Sequence, residues 1–139
     1  MRTVRWFLPI FLTGLGLICF GQAVNPLHFE APPPVRAKIG TMVEARVPLS
    51  LQEGYHVNSN TPSDTFLIPM QLTWTKGVLE PAGVVFPKPR LEKYQFSKDK
   101  LSVFSGNFEL IAKFTVPATA AVGPAAMNGD SFGGGSWRC

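Results

Sequence analysis

The sequence predicts an all-β protein, an antiparallel β-sandwich, and three observations carry that expectation. Residues 43–52, 66–75 and 107–116 alternate apolar with polar side chains, and a period of two turns one face of a strand to a core and the other to water. Thirteen prolines and thirteen glycines punctuate the 139 residues, so the strands are short and joined by turns. No stretch of comparable length carries an apolar stripe at helical period.

A chain of 139 residues has room for one domain. With 45% hydrophobic and 16% charged residues it can build a packed core, and a disordered chain is excluded. Of 13 Lys and Arg, Arg2 and Arg5 fall in the expected signal peptide, which leaves 11 against 9 Asp and Glu. That balance does not point to nucleic acid as a partner.

Residues 1–23 read as a secretory signal peptide: Arg2 and Arg5, an apolar run from Trp6 to Phe20, then Gly21-Gln22-Ala23 as the cleavage site. The run is shorter than the ~20 residues a membrane-spanning helix needs, so export with cleavage after Ala23 is expected, and membrane contact only while the peptide is uncleaved. Cys19 then leaves, and Cys139 is the thiol of the mature chain. Residues 24–34 end in Pro32-Pro33-Pro34 and read as an extended leader. The sandwich is expected over 35–129.

Within it, Val43, Ala45, Val47, Leu49 and Leu51 alternate with Glu44, Arg46, Pro48, Ser50 and Gln52. Pro48 lacks a ladder donor, which makes this strand an edge or ends its pairing nearby. Glu53-Gly54 turns the chain into Tyr55-His56-Val57, and 58–64 is a polar loop. A second alternating strand is expected over 66–75, then a brief run at Val84-Val85-Phe86, a basic stretch over 90–100, and Leu101 to Phe104. Asn107 to Val116 is the clearest strand. These phases place Val43, Val47, Met70, Leu72, Trp74, Phe108, Leu110 and Phe114 in the core. Residues 130–139 hold a run of glycines and no alternation, and are expected to form a flexible, atypical tail.

Few residues suggest chemistry. His28 and His56 have no second ligand at metal spacing, so neither metal nor cofactor is expected. Ser59, His56 and Asp64 could form a nucleophilic set, but no nucleophile elbow surrounds any serine, and a polar loop bonding its own backbone accounts for them. Lys88, Arg90, Lys93, Lys98 and Lys100 interleave with Tyr94 and Phe96. Glu92 and Asp99 dilute that charge, and the stretch reads as a solvated loop rather than a single-strand binder. Gly133-Gly134-Gly135 lacks the Lys-Ser/Thr of a phosphate loop.

Four blocks nevertheless read together: Gly54-Tyr55-His56-Val57-Asn58-Ser59-Asn60, Phe66-Leu67-Ile68-Pro69, Phe86-Pro87-Lys88-Pro89 and Val103-Phe104-Ser105-Gly106. In this order they resemble the N-terminal periplasmic domain of the thiol:disulfide interchange protein DsbD, the disulfide bond corrector domain, over about residues 35–124. The resemblance implies an immunoglobulin-like sandwich in the periplasm. It also implies a cysteine pair that relays electrons from a membrane-embedded thiol reductase to periplasmic disulfide proteins. In that family the pair lies in and just after a C-terminal strand resembling Y-Q-A-C-x-x-x-x-C. Here residues 130–139 read DSFGGGSWRC, so Cys139 is the sole redox candidate and lacks a partner thiol. The expectation is a sandwich without its last strand and without turnover, as a truncation or frameshift would leave it. The rivals are a non-catalytic periplasmic binding module and a non-functional fragment.

Overall fold

Among the described residues of the computed structural model, 25–132 and 137–138, every regular element is a strand. The expected signal peptide at 1–23 and Cys139 lie outside the described residues. The strands are β1 (Leu27–Phe29), β2 (Met42–Leu51), β3 (Tyr55–Asn58), β4 (Gln71–Trp74) and β5 (Glu80–Val85). There follow β6 (Arg90–Lys93), β7 (Lys100–Ser105), β8 (Asn107–Thr115), β9 (Gly129–Phe132) and β10 (Trp137–Arg138). One four-stranded antiparallel sheet has the order β1-β2-β8-β5, a second β10-β3-β7-β6, and β4-β9 form a two-stranded ribbon. The expected all-β sandwich is what the chain forms: Val47, Leu49, Leu51, Leu110, Ala112 and Phe114 of the first sheet share one buried cluster with Val57 and Phe104 of the second.

The longest ladder pairs the two strands with the longest alternation. Strand β2 runs against β8 from Met42 opposite Thr115 to Ser50 opposite Asn107. Val43 faces Phe114 and Val47 faces Leu110 on the core side. On the solvent side Lys113 Nζ meets Glu44 Oε1 at 3.1 Å and Arg46 Nη1 meets Glu109 Oε1 at 2.7 Å. These ion pairs are exposed and contribute at most ~1 kcal/mol each, so the apolar face decides the register. All eight residues expected in the core belong to or pack against this cluster.

Pro48 acts as its chemistry requires, although β2 is an interior strand. The Glu30 amide donates to the Pro48 carbonyl at 3.0 Å, and proline has no amide with which to return the bond. Strand β1 stops there, at Phe29 opposite Leu49. The leader therefore holds a short strand where only an extended linker was expected. Two glycines with positive φ, Gly54 (80°) and Gly106 (66°), take the chain from one sheet to the other. The first sits in a turn closed by the Tyr55 amide on the Gln52 carbonyl at 3.1 Å.

Three expectations need correction. The strand expected over 66–75 is only Gln71–Trp74. Asp64 Oδ1 accepts from the Phe66 amide (3.0 Å) and Asn58 Nδ2 donates to the Ile68 carbonyl (3.1 Å), so side-chain bonds fold 64–69 into a loop that leaves Phe66 92% exposed. The basic stretch is no continuous loop, because Arg90–Lys93 pairs with β7. Lastly, the tail is not without strands: Gly129–Phe132 pairs with Trp74–Gln71, and Trp137–Arg138 pairs with His56 and Tyr55. Two short strands therefore lie in 129–138 where none was expected. Glycine is useful at the start of β9, since a Cβ on Gly129 would lie 2.8 Å from the Trp74 ring and 3.2 Å from the Thr73 carbonyl.

Phe114 is 3% exposed and meets Trp74 edge-on at 5.0 Å, so Phe114→Ala is expected to destabilise by about 3–5 kcal/mol in denaturant unfolding. Gly129→Ala forces the β4–β9 ribbon apart and is expected to lose about 1–3 kcal/mol in the same measurement. A neutral Gly129→Ala would mean that β9 does not pair beside Trp74.

Candidate functional site

The second sheet has two covered faces, and the chemistry-bearing side chains gather on the one turned away from the main core. Opposite positions on β3 and β7 share a face, so Val57 and Phe104 enter the main core while His56, Asn58, Val103 and Ser105 point the other way. Leu101, Val103 and Tyr94 form a second small core there, with Leu67 packed against it. The polar loop after β3 and the turn after β6 fold over this face.

His56 lies at its centre, 1% exposed. Its imidazole stacks on Tyr94 at 4.2 Å between ring centroids, and Phe96 lies nearly parallel to both, 5.3 Å from Tyr94 and 6.4 Å from His56. Strand parity brings Glu92 to the same side as Tyr94, and its carboxylate accepts from Tyr94 Oη at 2.6 Å and from Ser105 Oγ at 2.9 Å. Burial pushes the His56 pKa below 6.5, opposed by the negative charge of Glu92. The Tyr94 bond, aided by Ser105, His56 and Arg90, holds the Glu92 carboxyl below 4.5 although burial opposes it. The arrangement is a carboxylate held ionised beside a histidine held neutral, under an aromatic cover.

The four sequence blocks converge on this sheet. Tyr55–Asn58 and Val103–Ser105 are paired strands, Asn58 holds Ile68 of the second block, and Phe86 of the third stacks on Phe104 at 6.2 Å. The nucleophilic set is not one. Ser59 Oγ is bonded to Ser102 Oγ at 2.7 Å and accepts from the Thr61 amide at 3.2 Å, and Asp64 caps its own turn. His28 stands on β1 opposite Ser50, in the other sheet from His56. Among the described residues no three His, Cys, Asp or Glu side chains group as metal ligands. The redox candidate Cys139 falls outside them. Sequence reasoning missed Glu92 and Ser105; the spacing of Glu92, Tyr94 and Phe96, two apart, was the available signal.

No protein-family model, curated protein or solved structure matches this chain.

The shifts set a pH dependence. Above pH 6.5 His56 is neutral whether folded or unfolded; below it the unfolded chain binds the proton more readily, so stability falls as pH drops from 6.5 toward the lower folded value. Glu92 is also lowered, and its contribution is present above 4.5 and lost as pH falls through its folded value. Thermal unfolding followed against pH is expected to show both losses. His56→Phe, which keeps a ring in the stack, is expected to flatten the first and only reduce the second, since the Tyr94 bond is the largest cause of the Glu92 shift.

Proposed function

We propose that this chain is an exported β-sandwich of the type of the DsbD N-terminal periplasmic domain, whose thiol chemistry stops at a mixed disulfide. The observation that supports this reading is the convergence of the four blocks, Tyr55–Asn58, Phe66–Pro69, Phe86–Pro89 and Val103–Gly106, on one sheet, the third on the face opposite the buried His56. Sequence order does not by itself require this convergence, because β4 and β5 lie between the second and third blocks and β6 between the third and fourth.

The chemistry follows from the cysteine inventory. Outside the expected signal peptide the sequence holds one cysteine, Cys139. Its thiolate can attack one sulfur of a partner's disulfide: a new sulfur–sulfur bond joins the two proteins, the partner's bond breaks, and its second sulfur leaves as a thiolate. Cys139 is oxidised and the released sulfur reduced. A relay requires a second thiol to attack Cys139 and expel the reduced partner, and the sequence supplies none in the mature chain. Partners of this chemistry are periplasmic disulfide proteins and a membrane-embedded thiol reductase.

Incubation of the reduced, exported chain with a disulfide-bonded protein tests this directly. The expected result is at most one equivalent of partner captured per chain, released by added thiol and abolished by Cys139→Ser. Multiple turnovers that vanish in Cys139→Ser would show a complete relay and overturn the reading, as would a Cys139 that captures no disulfide.

A further inference from the structure

The basic stretch that the functional reading leaves unused lies on an open sheet edge. Among the described residues β6 is the last strand of its sheet and pairs only with β7. The direction of its free backbone groups follows from the ladder. The Ser59 amide donates to the Ser102 carbonyl at 2.9 Å, so even-numbered residues of β7 address β3 and odd-numbered ones address β6. The β6 partners of Leu101 and Val103 are Glu92 and Arg90. Arg90 and Glu92 therefore bond β7, and the amides and carbonyls of Leu91 and Lys93 point away from the sheet.

The charge around this edge is one-sided. Lys88, Arg90, Lys98 and Lys100 are exposed. Lys93 turns its ammonium back onto the Ser97 and Lys98 carbonyls. Of the two acidic residues in the stretch, Glu92 is engaged inward by Tyr94 and Ser105, which leaves Asp99. Leu91 is 65% exposed and Phe96 64% exposed beside them. Edge lysines and arginines repel a second copy of the same edge, and they attract an extended segment of opposite charge.

We propose that the β6 edge takes an acidic, extended peptide segment of a partner protein as an added strand. Leu91 and Lys93 supply the backbone bonds, the surrounding bases supply the charge preference, and apolar residues alternating with the acids cover Leu91. This does not rest on the thiol chemistry, since Cys139 takes no part.

A dye-labelled peptide alternating Glu with Val, and its Lys–Val counterpart, serve as probes in fluorescence anisotropy with the whole exported chain. The Glu–Val peptide is expected to bind and the Lys–Val peptide not to bind. The double variant Lys88→Glu/Arg90→Glu, which spares the turn held by Lys93, is expected to weaken the first by about tenfold. Leu91→Pro removes an outward donor and no bond to β7, and is expected to abolish binding while thermal unfolding shows the domain folded. Should that variant not fold, amide exchange at Leu91 and Lys93 of the unaltered chain is expected to slow on adding Glu–Val peptide. Equal binding of both peptides, binding unaffected in folded Leu91→Pro, unchanged exchange, or self-association through this edge would overturn the proposal.

Discussion

Leu101 and Val103 on one side and Phe104 on the other leave β7 without a face for water, and that constraint organises the rest of the molecule. One side is covered by the first sheet, whose β2–β8 ladder presents Val47, Leu49, Leu110 and Phe114. The other needs a cover that no third sheet provides, and two loops supply it. The loop after β3 is fixed by a side-chain and a backbone bond, with Ser63 Oγ accepting from the Ser102 amide at 2.9 Å and the Met70 amide donating to the Ser59 carbonyl at 3.1 Å. Those bonds satisfy backbone groups that the ladder would otherwise leave buried and unpaired. The turn after β6 brings Tyr94 and Phe96 onto His56. The buried histidine is therefore a consequence of covering β7 twice.

The same cover explains the electrostatics. A carboxylate near apolar side chains ordinarily takes up a proton more readily, yet Glu92 receives two hydroxyl bonds and remains ionised. Its charge in turn tempers the penalty on a protonated His56. Charge in this site thus depends on the Tyr94 hydroxyl, which is both a donor to Glu92 and part of the ring that shields His56. Loss of the ring uncovers the histidine, and loss of the hydroxyl alone raises the carboxyl; the two contributions are separable in principle by Tyr94→Phe.

Period-two strands were readable because one face of each meets water. Val43 to Leu51 and Phe108 to Val116 carry that signature, and their phases agree with their burial. Strand β7 was harder to place, since burial on both faces erases alternation and leaves a short apolar run. Phe66 misled for a different reason: an apolar residue in phase with Met70 and Leu72 lies in an Asx-closed turn, and local bonding prevailed over periodicity. The tail was misjudged on composition. A run of glycines weakens pairing within itself, but Gly129 permits the close approach of β9 to Trp74, and Trp137 and Arg138 lie beyond the run. The aromatic site was half legible, with His56 visible in its block and Glu92 hidden because only the strand pairing shows which way it faces.

The sheet edges differ in how they are protected. In the first sheet β1 is kept short by Pro26 and Pro48, whose carbonyls accept from Gln52 and Glu30 across the β1–β2 ladder and which have no amide to return the bond. Its other edge, β5, contains Pro81 and an irregular register between Pro81 and Gly83, which twists it away from regular pairing. A three-residue strand and an irregular one each offer little regular edge to an added strand, whatever its charge. Strand β6 has neither a proline nor a bulge within Arg90–Lys93; Pro89 before it marks where the edge begins, and at Leu91 and Lys93 the guard is charge. Charge repels selectively where proline excludes generally, and an edge so guarded remains open to segments of opposite sign. Protection against self-pairing and selectivity for an acidic strand are then one property of the same side chains.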